Sequence, residues 1–275
     1  MNSIYSYSIG HLSDKVSEVR SMLNHPNTRN RILILVEGDD DEDFYGRYLY
    51  KGKAFLYRLN GCYYFDKILD NINSKFQNRL AVIKDADFDH LNGISYAHTN
   101  MFLTDKHDCE MMMISQELVS KVAQSYGLAN EEANRIYPLI SSGLINYSFI
   151  KWHNSRRASG ENGISFKKTK AIHHFCKTIP DSVGILQPQQ SSGFVINISA
   201  IETLKANNPD VDTHQLHNGH DFCELIPMAI KNIKKINIKN KDIPKKLRDL
   251  YTLDQFRTTS LASTLESTYP GILKI

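Results

Sequence analysis

Three acidic segments stand directly behind short apolar runs, and carboxylates so placed can hold a metal ion. Glu37-Gly38-Asp39-Asp40-Asp41 follows RILILV (31–36), Asp85-Ala86-Asp87-Phe88-Asp89 follows LAVIK (80–84), and Thr104–Glu110 (TDKHDCE) closes the run that starts at Asn100. Acids gathered at one edge repel: two unit charges 4 Å apart cost about 4 kcal/mol at an effective dielectric near 20. Lys84 and Lys106 could offset part of this. A hard divalent ion offsets it better, because oxygen ligands suit Mg²⁺ or Mn²⁺. Asp85 and Asp87 are two residues apart, so in an extended segment their side chains share a side, and Glu37 would reach the same space from a neighbouring strand. Water acidified by such an ion can attack a phosphodiester, and a phosphate oxygen on the ion has its developing charge stabilised. Asp39, Asp40, Glu42 and Asp43 have a plainer use as acids at the start of a helix. That use explains neither Glu37, set on the strand end before a glycine, nor the Asp85-x-Asp87 pair.

The elements that would position these acids alternate. Leu12, Val16, Val19 and Leu23 recur at helical spacing, and NHPNTRN (24–30) breaks the chain. Arg31–Val36 is short and branched, which favours a buried strand over a helix. A helix is expected from about Asp41, a second strand over Ala54–Leu59 closed by Asn60-Gly61, and a helix over 65–76 from the spacing of Phe65, Ile68, Leu69, Ile72 and Phe76. Strands over Leu80–Lys84 and Asn100–Thr104 and a helix over Met111–Ala123 follow. This order predicts an α/β fold with a mostly parallel sheet covered on both faces, in which functional groups collect beyond the carboxyl ends of the strands. Three of the four strand ends are acidic.

The remainder is basic. Residues 1–120 carry 13 Lys and Arg against 17 Asp and Glu, a net of −4, whereas residues 121–275 carry 20 against 13, a net of +7. Lys151–Lys177 holds seven Lys or Arg and one acid, with Trp152, Phe166 and Phe175 interleaved. Such a stretch suits a nucleic-acid path, with phosphates neutralised and bases stacked, and its candidates are Lys151, Arg156, Arg157, Lys167, Lys168 and Lys170. Lys231–Arg248 adds eight more cations, read equally as a second path or as a solvated helix face. Strands are expected near Ser182–Leu186 and Phe194–Ile198. No apolar run approaches the ~18 residues of a membrane span, and residues 1–10 lack the pattern of a secretory signal. Cys62, Cys109, Cys176 and Cys223 are dispersed without a CxxC pair, which suits reduced thiols in a cytoplasmic setting. His173-x-x-Cys176 and His220-x-x-Cys223 repeat a spacing used by zinc, but the pairs lie far apart and both cysteines sit in apolar runs. His217-x-x-His220-Asp221 reads better as a turn at Asn218-Gly219 with Asp221 opening a helix, whose regularity Pro227 limits, than as a hydrolase His-Asp pair.

Glu37-Gly38-x-x-Asp41 after one strand and Asp85-x-Asp87 after a later one resemble a TOPRIM domain, the catalytic module of topoisomerases, DnaG-type primases and OLD nucleases. The ordered series LVEGDDDEDFY, AVIKDADFDHL, TDKHDCEMMMI and HNGHDFCELI is similar to the TOPRIM-like nuclease family that includes AriB, the effector of the PARIS anti-phage defence system. The resemblance covers residues 30–125 best. It divides the chain into a helical lead (1–29), a TOPRIM-like core (30–125) and a basic, largely helical C-terminal part (126–275) for nucleic-acid, dimer or partner contacts. It implies that Glu37 is the general acid/base or metal-bound glutamate, that Asp85 and Asp87 are the metal pair, and that Asp41 and Glu110 occupy further acidic positions. Lys106 or His107 would assist phosphate binding. The implied function is a Mg²⁺- or Mn²⁺-dependent endonuclease that cleaves RNA, tRNA among its substrates, or DNA as a toxic effector. It would be restrained by an ABC-type ATPase partner and be homodimeric when active. No GxxxxGK[ST] segment occurs in these 275 residues, so the ATPase would be a separate chain.

Two other classes fit parts of the pattern. A receiver-like signalling domain would use Asp85 as phosphoacceptor, with Asp39 and Asp40 as its acidic pair, but Thr104-Asp105-Lys106 compresses its later Thr and Lys into one segment. A non-catalytic partner-binding subunit would use the acids to hold a structural ion.

Overall fold

The computed structural model describes residues 3–156 and 198–275. The fold is α/β, with a four-stranded, all-parallel sheet flanked by helices. Packing divides the chain into two compact units, one of residues 1–86, 95–105 and 252–275 and one of residues 87–94 and 106–251. These units are drawn on different lines from the segments 1–29, 30–125 and 126–275, since residues 252–275 return to the sheet.

The first unit holds the sheet. Its strands are β1 (Ile32–Val36), β2 (Ala54–Arg58), β3 (Leu80–Lys84) and β4 (Met101–Leu103), in the order β2-β1-β3-β4. All four expected strands form, each within a residue or two of its expected bounds. Helix α1 (Ser3–Asn24) and helix α3 (Phe65–Asn71) contribute Val16, Val19, Leu23, Phe65, Ile68 and Leu69 to a core that includes Leu33, Leu35, Leu80 and Val82. Side chains alternate along a strand, so Ile34, Val36, Ala81 and Ile83 lie on the opposite face, and they too are buried. Burial on both faces is why β1 reads as a continuous apolar run rather than an alternating one. Helix α2 (Asp39–Tyr45) follows β1 and places Phe44 and Tyr45 beside Phe256 from the helix Leu253–Arg257. The C-terminal segment is pinned by the Tyr50 N–H to the Ile272 carbonyl (2.7 Å) and the Lys274 N–H to the Tyr48 carbonyl (2.8 Å).

Two expected helices are each broken. The helix over 65–76 stops at Asn71, Ile72 is extended, and a 3₁₀ turn restarts at Ser74. Asn73 causes the restart by accepting the Lys75 N–H (3.0 Å), a local bond that competes with helix continuation. The helix over Met111–Ala123 is two, Cys109–Met113 and Gln116–Ser125, with Ser115 capping the second through the Leu118 N–H (3.2 Å).

The regular elements of the second unit are helical among the described residues. The helix Ile136–Ser155 buries Phe149 and Trp152 with Phe88, Leu204 and Leu216, and the Trp152 indole donates to Asn92 Oδ1 (2.9 Å). The helix Gly219–Lys234 starts at the expected Asn218-Gly219 turn, where Asn218 caps it by accepting the Asp221 N–H (3.1 Å). It runs through Pro227 as one element, so the expected irregularity does not divide it. The strands expected near Ser182–Leu186 and Phe194–Ile198 fall outside the described residues, apart from Ile198, which opens the helix Ile198–Ala206.

Candidate functional site

In the first unit, the carboxyl ends of β1 and β3 lie side by side, because the two strands pair in parallel with Leu35 opposite Val82. Glu37 sits immediately after β1, half-buried, and its carbonyl accepts the Gly61 N–H (3.1 Å). Gly38 is the extended N-cap of α2. Asp41 reaches back one turn, and its Oδ2 accepts the Gly38 N–H (2.9 Å). This bond draws the carboxylate inward, where it is 8% exposed. Asp85 follows β3 and is half-buried, and the Lys84 ammonium donates to the Asp85 carbonyl (2.9 Å). The next residue is fixed by Thr104, whose Oγ1 accepts the Ala86 N–H (2.9 Å).

Asp41 and Asp85 each present a carboxylate oxygen within 4.8 Å of the other. At that separation two ionised carboxylates repel by about 3 kcal/mol at an effective dielectric of 20. Two oxygens bound to one hard divalent cation at roughly 2.0–2.6 Å stand no more than about 4–5 Å apart. The donor set is therefore of the right chemistry and span for Mg²⁺, Mn²⁺ or Ca²⁺. No third carboxylate of this unit comes within 4.8 Å of both among the described residues.

Asp39, Glu42 and Asp105 have structural partners. Asp39 pairs with Arg58, and Glu42 lies 3.8 Å from the same guanidinium. Asp105, from the acidic segment after β4, caps the helix Ser260–Thr268 by accepting the Ser260 N–H (2.6 Å) and the Leu261 N–H (2.8 Å).

The other predicted site residues belong to the second unit. Asp87 is exposed with φ +49°, and its N–H donates to the His107 carbonyl (2.6 Å). The left-handed turn ends the extended run, so the expectation that Asp85 and Asp87 share a side by strand alternation does not apply. Aspartate tolerates this conformation better than most residues. Glu110 lies in the first turn of Cys109–Met113, where the Cys109 thiol donates to its carboxylate (3.3 Å). Lys106 stands 3.8 Å from Asp212. Burial pushes the Asp212 carboxyl up, but the His214 N–H and the charges of Lys106 and His214 outweigh it and hold the group below its ordinary value.

Lys151 is committed internally. Its ammonium is 2.6 Å from Asp221, with the side chains only 18% and 11% exposed, which corrects its expected role on a nucleic-acid path. Arg156 is exposed and lies over the Trp152 ring (5.8 Å). Arg157, Lys167, Lys168 and Lys170 lie outside the described residues. His220 is exposed beside Glu224 (3.4 Å) while Cys223 is buried, so this pair does not share one ligand face.

One buried acid of the second unit, Asp108, is singled out for no role in the sequence. It is 4% exposed. Its Oδ1 accepts the Met111 N–H (2.8 Å), and its Oδ2 accepts the Gly219 N–H (2.7 Å) and the Asn218 amide (3.0 Å) and meets His107 Nδ1 (3.2 Å). One carboxylate thus serves the starts of two helices. The fit demands glycine at 219, where a Cβ would lie 2.4 Å from both Asp108 Oδ1 and the Glu110 Cβ. Asp108 followed by Cys-Glu-Met is an N-cap pattern, but its second partner is more than a hundred residues away. His217 is buried between Ser148 Oγ (2.8 Å) and Ser141 Oγ (3.1 Å). Burial, with the charges of His214 and His107, pushes it down to about 3.

Compared with known proteins, the chain matches no family model and no curated sequence. Among the described residues, no helix is long and apolar enough to cross a membrane.

Proposed function

We propose that the chain is a metal-dependent endonuclease of the TOPRIM-like class, a toxic effector that cleaves RNA or DNA. One observation carries the reading: Asp41, in the first turn of the helix after β1, and Asp85, directly after the neighbouring strand β3, bring carboxylate oxygens within 4.8 Å of each other. The carboxyl edge of a parallel sheet is where α/β folds collect their functional groups. Asp41 and Asp85 would hold Mg²⁺ or Mn²⁺, which when bound supplies charge stabilisation to a phosphate and an acidified water. Glu37, at the end of β1, would move the proton, and the Gly38 N–H orients Asp41. By the same resemblance, the protein would act in the cytoplasm as a homodimer, under restraint by an ABC-type ATPase partner. Purified protein should nick plasmid or tRNA with Mg²⁺ or Mn²⁺ and stop in chelator. Undiminished cleavage by Glu37→Ala and Asp85→Asn would reject the assignment.

A receiver-like domain is the second reading, favoured by the strand order β2-β1-β3-β4, with Asp85 after β3 and Thr104 after β4. Acetyl phosphate should then label Asp85. Absence of labelling together with metal-dependent cleavage selects the nuclease.

A further inference from the structure

We propose that the surface carried by residues 231–248 binds the phosphate backbone of nucleic acid. The segment runs from the last turn of the helix Gly219–Lys234, through a turn in which Lys235 is left-handed (φ +57°), into the helix Asp242–Leu250. It holds eight Lys and Arg against one acid, Asp242. Some of these cations have internal work: Lys234 donates to the Gly127 carbonyl, and Lys246 donates to Ser125 Oγ (3.2 Å) and lies over the Tyr126 ring (4.8 Å). Lys231, Lys235, Lys239, Lys241 and Lys245 are exposed, and none has an ion-pair partner among the described residues. Lys151, by contrast, is neutralised by Asp221. Five uncompensated ammonium groups within fifteen residues repel one another, and a polyanion relieves that repulsion.

The chemistry around them favours nucleic acid over a lipid surface. Asn232, Asn237 and Asn240 lie between the lysines, and asparagine amides contact phosphate and sugar. A membrane-surface helix needs an apolar face to insert. Ile243 and Leu247 of the helix Asp242–Leu250 are fully buried in the protein and not available for that.

The proposal deepens the nuclease reading, on which it rests for the choice of polymer. Binding is therefore measured in chelator, apart from cleavage. The full chain is titrated onto fluorescein-labelled single-stranded RNA and duplex DNA, by anisotropy, over a series of KCl concentrations. If all five lysines neutralise phosphates, they contribute about −4.5 to the log–log salt slope on duplex and about −3.5 on single strands. With all five changed to Gln, the slope should flatten by about two or more, and with all five changed to Arg it should persist. The Arg variant separates loss of charge from loss of fold. A smaller flattening in the Gln variant overturns the proposal, as does binding of wild type to anionic phosphatidylserine vesicles but to neither nucleic acid. Unchanged binding and salt slope in the Gln variant, with metal-dependent cleavage intact, would overturn this surface and leave the nuclease reading standing.

Discussion

Replacing Asp108 by Ala should unlock the starts of two helices at once. The buried carboxylate accepts the Met111 N–H at 2.8 Å and the Gly219 N–H at 2.7 Å, and Ala leaves both donors without it. A hydrogen bond to a charged acceptor contributes about 1.5–3 kcal/mol, so the two together are worth about 3–6 kcal/mol. That is a large share of the 5–15 kcal/mol that holds a typical domain. Asp105→Ala is the internal control. It also removes two backbone bonds, to Ser260 and Leu261, but Asp105 is half-buried and water can replace it. Loss of such a cap costs about 0.5–2 kcal/mol. The assay is amide hydrogen exchange at Met111 and Gly219, with thermal melting alongside. A loss of 3 kcal/mol speeds exchange at those amides by roughly a hundredfold. Acceleration below about tenfold in Asp108→Ala, or an equal effect in both variants, would refute the two-helix role.

Three further outcomes are expected. Asp221→Leu should destabilise the second unit by about 3 kcal/mol, because it leaves the poorly exposed Lys151 without its counter-charge, whereas adding Lys151→Met should recover much of the loss; urea unfolding of wild type, the two single variants and the double variant measures the coupling. His217 should make stability fall with acid: above pH ~6.5 the ring is neutral folded and unfolded, but from there down to about 3 the unfolded chain takes up a proton that the fold refuses, at up to about 1.4 kcal/mol per pH unit. His217→Gln should remove that slope, and an NMR titration showing the ring protonating near 6.5 in the folded protein would contradict the burial argument. Gly219→Ala should destabilise by more than the ~1 kcal/mol that an Ala normally returns in a helix, with the sign reversed, because its Cβ would meet Asp108 and Glu110 at 2.4 Å; a rise in melting temperature would contradict it.

Much of the sheet was legible because its strands are short, branched and buried on both faces, a pattern that local sequence carries. RILILV and LAVIK could hardly be helices of useful length, and the acids behind them marked the carboxyl edge. The helix breaks at Ile72 and Ser115 were hidden because apolar spacing continues through them while a side-chain cap restarts the chain. The conformation of Asp87 was illegible for a related reason: strand alternation was extended past Lys84, where the strand ends. Within TDKHDCE, the N-cap pattern marks the bond from the Met111 N–H to Asp108, but nothing local marks the distant backbone donors that Asp105 and Asp108 meet. Asp105 and Asp108 find their donors at Ser260 and Gly219, and Lys151 finds its counter-charge at Asp221, all distant in sequence. The pairing of Asp41 with Asp85 was foreseen only as a gathering of acids; the bond from the Gly38 N–H that turns Asp41 inward depends on backbone geometry.

The most direct test of the metal centre is Mn²⁺ binding, followed by electron paramagnetic resonance of the free ion in wild type, Asp41→Asn and Asp85→Asn. Wild type should bind Mn²⁺ and release it to excess Mg²⁺, and each substitution should weaken binding by about tenfold or more, since each replaces one of the two anionic oxygen ligands by a neutral amide. Equal affinity in all three proteins would contradict the claim that these two carboxylates hold a divalent cation.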